Sequence, residues 1–224
     1  MVIDVLTLFP GMFDGFLGES IIKRAQKKGL VDINLCNIRD FSSDKHKKAD
    51  DRPYGGGPGM LLMAEPIIKW FEYLKNNDRK KLHKIILTPV GDVLTQKKAK
   101  VLSKKSGLIF LCGHYEGFDQ RIFDLIKFDD NISIGKYILS GGELAAMVVM
   151  DTIIRLIPGV LGNQLSCENE SFSKNNEFDY PQYTRPRNLK GCRVPEVLLS
   201  GNHQEISKWR RLQQKAYTKS RIIQ

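Results

Sequence analysis

Three short turns carry the residue types from which a ligand cleft is built: Thr88-Pro89-Val90-Gly91, Cys112-Gly113-His114-Tyr115-Glu116-Gly117 and Leu139-Ser140-Gly141-Gly142. Each follows a run of apolar, strand-type residues. Glycine allows a backbone to come close to a ligand, and in open α/β sheets ligands sit beyond the carboxyl ends of the strands. The third turn passes through Glu143 into a helical run. A strand, a glycine turn and a helix N-terminus together present unpaired N–H groups and a positive dipole end to a polar or anionic small ligand. Neither a Walker A pattern nor a strand-linked G-x-G-x-x-G appears, which argues against a P-loop NTPase and an ordinary dinucleotide-binding dehydrogenase. The charged residues nearby also have plain readings. Arg155 follows Asp151 by four positions, as in a helical ion pair, and Glu116 suits a solvated loop carboxylate.

The elements that must hold these turns read as α/β. Val2 to Phe9 is a buried strand stopped by Pro10-Gly11, and Phe13 to Gly18 is an apolar loop or turn. Ser20 to Lys28 is a helix ending at Gly29, and Val31 to Ile38 is a second strand. This β-α-β order begins a mostly parallel sheet. Arg39 to Met63 then breaks the pattern, running polar and afterwards glycine-rich through Tyr54-Gly-Gly-Gly-Pro-Gly-Met60. A loop of this length inside a compact domain is functional or disordered. Glu65 to Lys75 is a helix with Ile67, Ile68, Phe71 and Leu74 inward. Strands follow at Lys84 to Leu87, Leu108 to Leu111 and Ile132 to Ile138. Between them lie a basic helix from Thr95 to Lys105, read as a solvated face, and a short helix from Asp119 to Ile126. Leu144 to Ile157 is a helix with apolar residues at Leu144, Met147, Val148, Ile154 and Ile157. After Pro158-Gly159 the chain turns polar and partly acidic (Glu168, Glu170, Glu177, Asp179) and reads as a linker. A last helix, Gln204 to Lys219, places Ile206, Trp209, Leu212 and Ala216 on one side. Asn202 with Glu205 forms its cap and reciprocal partner.

Composition sets the class of partner. The chain has 224 residues and a formal net charge of +10, an excess that favours a polyanion, nucleic acid first and an anionic membrane second. The basic residues of the last helix, Lys208, Arg210, Arg211 and Lys215 among them, suit a phosphate backbone. The four cysteines, Cys36, Cys112, Cys167 and Cys192, have no zinc-ribbon or redox spacing and read as free thiols of an intracellular protein. Met1-Val-Ile-Asp lacks a basic leader, and no run approaches the ~18 apolar residues of a membrane helix. The expectation is a cytoplasmic protein without membrane attachment.

The motifs taken together closely resemble the bacterial tRNA (guanine-N1)-methyltransferases, members of the SPOUT class with a trefoil-knotted α/β fold. The matching pieces are Leu8-Phe-Pro-Gly-Met-Phe13, Asp50-Asp-Arg-Pro-Tyr-Gly-Gly-Gly-Pro-Gly-Met60, Cys112-Gly-His-Tyr-Glu-Gly117, Ile134-Gly-Lys-Tyr-Ile-Leu-Ser-Gly-Gly-Glu-Leu144, Pro158-Gly-Val-Leu-Gly162, Tyr183-Thr-Arg-Pro186 and Leu198-Leu-Ser-Gly-Asn-His203. They run in order over nearly the whole chain. The resemblance implies a knotted S-adenosylmethionine-binding domain over 1–161, a linker over 162–182 and a helical tRNA-binding domain over 183–224. It implies methyl transfer from S-adenosylmethionine to N1 of guanine at position 37 of tRNA, by a homodimer whose active site lies at the subunit interface.

It also implies site residues. The cofactor wall is Thr88, Pro89, Gly113, Tyr115, Ile134, Gly135, Lys136, Tyr137, Ile138, Leu139 and Gly141, with Glu116 as the acid near the cofactor amino group. Arg155 is the active-site arginine. The family's proposed base is a linker aspartate followed by Ser-Phe; here that slot is Glu170-Ser171-Phe172, so the role falls to Glu170, with Asp179 as the alternative. N1 of neutral guanine carries a proton, so methylation needs in-line approach and loss of that proton. A carboxylate and a nearby cation supply what the step requires. His114, Lys136 and Ala145 differ from the family's arginine, aspartate and proline, and Lys136 is expected to point outward. Mg2+ is associated with the family, although the sequence shows no dedicated metal cage. Two other functions fit parts of the chain. A non-catalytic RNA-binding protein would use the basic charge and the last helix. A phosphate- or nucleotide-binding metabolic enzyme would use Ser140-Gly-Gly142.

Overall fold

Five strands form the centre of the first part of the chain. In the computed structural model, which describes residues 1–75, 79–162, 170–172 and 178–222, these are β1 (Val2–Thr7), β2 (Asp32–Asn37), β5 (His83–Val93), β6 (Gly107–Cys112) and β7 (Asp130–Ser133). They pair in the order β2-β1-β6-β5-β7, every pairing parallel. The sheet is fully parallel, as the β-α-β reading requires. Alternate side chains enter two cores. Ile3, Val5, Ile85, Leu108 and Phe110 face α2 (Ser20–Lys27), α4 (Gln96–Leu102) and α6 (Gly142–Ile154). Leu6, Ile86, Ile109 and Leu111 face α3 (Ala64–Lys75) and α5 (Arg121–Leu125). Burial on both faces is why β1 and β6 read as nearly unbroken apolar runs, while β2, at the edge, alternates.

Several elements differ from the sequence expectation. Phe13 to Gly18 is not a loop: a 3-10 turn at Pro10–Phe13 leads into α1 (Asp14–Gly18). The long stretch after β2 is tied by a small antiparallel hairpin, β3 (Asp50–Asp51) with β4 (Leu61–Leu62). Strand β5 does not end at Leu87. Leu87 and Asp92 both stand opposite Ile132, so Thr88 to Gly91 bulges out and the strand resumes. Gly91 has no room for a side chain, since a Cβ there would lie 2.6 Å from the Asn131 carbonyl. In the other direction, β7 stops at Ser133, well short of Ile138. Ser133 Oγ accepts from Gly135 N at 3.2 Å and donates to Gly135 O at 3.0 Å, folding the chain out of the sheet. Helix α3 buries Trp70 completely, alongside Ile67 and Phe71. Lys98 of the basic helix pairs with Asp130 at the start of β7, so that helix is more than a solvated face.

The first turn of α6 begins at Gly142, and Arg155 caps its end. Its core side chains are Ala146, Val149, Met150, Ile153 and Ile154, while Leu144 and Val148 are 46% exposed. The apolar face expected at Leu144, Met147 and Val148 is therefore largely the outer one. The helix is apolar all round, so no stripe marks the buried side.

The chain divides into two compact units, Met1–Gly162 and Asn163–Gln224. The second unit contains β8 (Asn188–Leu189) paired with β9 (Cys192–Arg193), α7 (Glu196–Leu199) and α8 (His203–Ile222). Residues read as linker are bonded into it: Phe178 N donates to Thr218 Oγ1 at 2.9 Å and Asp179 N to Ser171 Oγ at 2.9 Å. Asn202 caps α8 as expected, Oδ1 accepting from Gln204 N and Glu205 N. The reciprocal bond is different, because Asn202 N donates to Ser200 Oγ instead of Glu205. Leu212 is 57% exposed and Ala216 is exposed, so the half-buried side of α8 is Ile206, Trp209, Gln213, Gln214 and Thr218. Cys167, Glu168 and Glu177 lie outside the described residues.

Candidate active site

The carboxyl ends of β1, β6 and β7 bring three segments together. Thr7 ends β1, Gly113 to Gly117 follow β6, and Ile134 to Gly141 connect β7 to α6. Gly142 N donates to Gly113 O at 2.7 Å, and His114 forms an antiparallel bridge with Gly141. A Cβ at Gly142 would lie 2.8 Å from Gly113 N, so glycine is what permits this approach. Two of the three turns expected to share a cleft are thus in direct backbone contact. The third, Thr88 to Gly91, packs against Asn131 and Ile132 just before the 134–141 segment.

The expected wall residues fall into two kinds. Ile134 and Leu139 are half-buried and anchor their segment on the core. Lys136, Tyr137 and Ile138 are exposed, Ile138 at 80%, and Tyr137 OH donates to Ile134 O at 3.2 Å. Lys136 is solvent-exposed. Pro89 is exposed, Thr88 half-buried and Gly135 half-buried. Tyr115 takes a left-handed backbone, φ 58°, with its ring edge-on to His114 at 4.6 Å. Glu116 is exposed, and its N donates to Met60 O at 3.0 Å. The glycine-rich stretch therefore borders the expected cofactor acid, through Leu62 N to Gly117 O at 2.9 Å as well.

A buried polar group lies behind these loops that the sequence did not disclose. Glu143, in the first turn of α6, is fully buried. Its Oε1 accepts from Thr7 Oγ1 at 2.6 Å, and Thr7 Oγ1 accepts in turn from Phe9 N at 3.0 Å. Its Oε2 stands 3.8 Å from His114 Nδ1, and neither atom has a hydrogen-bond partner. The nearby Cys112 thiol is pushed well up, first by burial and then by the Glu143 charge. The one available signal was an acid opening a helix that is otherwise apolar until Asp151.

Of the expected catalytic residues, Arg155 belongs to the first unit, half-buried as the cap of α6, with its N donating to Asp151 O at 3.2 Å. Glu170 and Asp179 belong to the second unit, and both are half-buried. Asp179 is engaged locally, Oδ1 accepting from Tyr180 N at 2.8 Å and Oδ2 from Gln182 Nε2 at 3.0 Å. Among the described residues no group of three or more His, Cys, Asp or Glu side chains converges as metal ligands. No helix among them is long and apolar enough to cross a membrane.

A family model described as tRNA (guanine-1)-methyltransferase TrmD matches residues 1–223. The curated tRNA (guanine-N(1)-)-methyltransferase of Carboxydothermus hydrogenoformans is 56% identical over 213 residues, which is 95% of this chain and 82% of that protein. The protein of the same name from Geobacillus kaustophilus is 53% identical over 210 residues, 94% of this chain and 85% of its own. The one from Clostridioides difficile is 50% identical over 222 residues, 99% of this chain and 95% of its own. With the match running from the first strand through the last helix, this chain belongs to the tRNA (guanine-1)-methyltransferase TrmD family.

Proposed function

We propose that this chain transfers a methyl group from S-adenosylmethionine to N1 of the guanine at position 37 of tRNA. The observation that carries the cofactor part is the meeting of Gly113 with Gly142 and of His114 with Gly141 at one end of a parallel sheet. Glycines at these contacts let the two segments approach until their backbones pair, and two loops tied together at the end of a sheet suit the adenine and ribose edges of a nucleoside. Exposed Tyr115, Tyr137 and Ile138 add apolar surface beside them. In this reading the cofactor is held by Thr88, Pro89, Gly113, Tyr115, Ile134 to Leu139 and Gly141, and Glu116 takes its amino group. Bound there, S-adenosylmethionine supplies an electrophilic methyl on a positively charged sulfur. The stretch from Gly113 through Gly142 is read as the trefoil knot.

The chain's own residues then handle the guanine. A carboxylate near N1 takes the proton that this atom must lose, and Glu170 has that role, with Asp179 as the alternative. The Arg155 guanidinium stabilises the negative charge that builds on the base as the proton leaves. The helical second unit holds the tRNA backbone through Lys208, Arg211 and Lys215, all exposed along one side of α8. Two chains act together, in the cytoplasm, with the exposed apolar residues of α6 at their interface.

The test is methyl transfer from labelled S-adenosylmethionine to tRNA transcripts with guanine or another base at position 37. Label is expected in the guanine transcript alone. Label in both, or in neither, overturns the reading. Cofactor binding measured without RNA separates this enzyme from a non-catalytic RNA-binding protein.

A further inference from the structure

Two sealed polar atoms of complementary chemistry face each other beneath the cofactor loops. Glu143 Oε2 is an acceptor with nothing to accept, and His114 Nδ1 is a ring nitrogen with no partner. They stand 3.8 Å apart, beyond direct hydrogen-bond length. Buried polar groups are almost always paired, because an unpaired one loses its water without compensation. A shift of about 1 Å, within the reach of a small side-chain rotation, would satisfy both atoms at once. The space for that pair is made by Gly141, where a Cβ would overlap Glu143 Oε2 and His114 Nδ1.

We propose that Glu143 is a positioning residue: it accepts a hydrogen bond from His114 Nδ1–H, fixes that tautomer, and so holds the Gly113 to Tyr115 turn in place. Each end of the link is anchored. Glu143 Oε1 is fixed by Thr7 at 2.6 Å. The His114 ring is held between Phe9, with centroids 4.7 Å apart, and Tyr115 at 4.6 Å. The link therefore joins the ends of β1 and β6 to the start of α6, and Gly113 and Tyr115 flank the residue it grips. With Nδ1 committed to the carboxylate, the accessible part of the ring is its other edge, which accounts for the 20% exposure of the side chain. The inference rests on reading Gly113, Tyr115 and Glu116 as part of the cofactor wall.

The test uses the full chain with nitrogen-labelled histidine. The protein has 4 histidines, so the His114 signals are assigned by their loss in His114→Gln. Nuclear magnetic resonance should place a proton on Nδ1 of His114, and Glu143→Gln should shift the ring toward the Nε2–H form. A wild-type ring carrying its proton on Nε2 alone overturns the proposal. This arm needs neither tRNA nor cofactor, so it fails or succeeds independently of the proposed reaction. In the kinetic arm, Glu143→Gln should raise the KM for S-adenosylmethionine about tenfold with kcat within about twofold, the signature of lost positioning instead of lost chemistry. His114→Asn puts an amide N–H where Nδ1 stands, and should keep KM near wild type. His114→Gln places its amide at the Nε2 position and should match Glu143→Gln. These loop variants keep the proposal testable if Glu143→Gln does not fold. Equal KM values for the Asn and Gln variants, or an unchanged KM in folded Glu143→Gln, overturn it.

Discussion

Gly59 lies so close to Glu116 that a Cβ on it would stand 2.5 Å from Glu116 Cγ and 2.7 Å from Oε1. The glycine-rich stretch thus packs at Gly59 against the residue assigned to the cofactor amino group. Gly59 has φ +85°, so a side chain there meets backbone strain as well as the clash. We expect Gly59→Ala to cost about 1–3 kcal/mol from strain alone and to push Glu116 from its place. Cofactor affinity measured by calorimetry should fall about tenfold while the fold survives by circular dichroism. Affinity equal to wild type would remove Glu116 from the cofactor wall.

In the proposed reaction, loss of the general base should leave cofactor binding intact. Glu170→Gln keeps the shape and removes the proton acceptor, so turnover should fall by about 10²- to 10⁴-fold while S-adenosylmethionine affinity stays within about twofold. Asp179→Asn should do much less to turnover, since its two oxygens already serve Tyr180 N and Gln182 Nε2 in a local turn. Single-turnover methylation of a guanine-37 transcript reads both. If Glu170→Gln turns over normally and Asp179→Asn does not, the roles are exchanged.

How much of this was legible in the chain follows from where the information sits. Strands β1 and β6 were readable because Ile3, Val5, Leu108 and Phe110 are buried on one face while Leu6, Ile109 and Leu111 are buried on the other, and a doubly buried strand is an apolar run. The glycine turns are readable as clusters that end apolar runs, but what requires glycine at Gly91 and Gly142 is contact with Asn131 and Gly113, about 40 and 30 positions away, which spacing does not reveal. The sequence pattern of β7 runs past its structural end because Ile134 and Ile138 continue an apolar pattern that the Ser133 to Gly135 bonds interrupt. Leu144 and Leu212 share the spacing of inward residues yet are exposed, because spacing alone does not choose a face when the partner surface is unknown. Glu143 was invisible as a buried group because its partner, Thr7, stands 136 positions away.

The Asp130 carboxylate gives a pH-dependent stability with a definite sign. Burial pushes its pKa up, but the His83 hydrogen bond, at 2.6 Å, and the Lys98 ammonium outweigh it, and the net direction is down from the usual 3.8. A depressed carboxyl contributes stability that is present above its unfolded value and is lost as pH falls through the folded one. Asp130→Asn should therefore destabilise the fold by about 1–2 kcal/mol at neutral pH. The difference from wild type should shrink below about pH 4. Urea unfolding at several pH values checks this, and a difference that stays constant from neutral pH to pH 3 would refute the assignment.

Two apolar side chains on the outer face of α6 make the subunit contact testable. Leu144 and Val148 are both 46% exposed, and a four-residue spacing stacks them on one face of the helix. Scattered exposed leucines need no explanation, but this pair lies on the helix that begins at the candidate site and ends at Arg155. If that face meets a second copy, a carboxylate placed there would be buried without a partner, at a cost of about 3 kcal/mol or more, which is roughly a hundredfold in dimer dissociation constant. Sedimentation equilibrium should show wild-type dimers and a shift to monomer in Leu144→Glu and in Val148→Glu. Methyl transfer should fall with the dimer fraction and return at high protein concentration, because neither residue is assigned to the chemistry. A wild-type protein that sediments as an active monomer would place the whole site within one chain and remove the role given to this face.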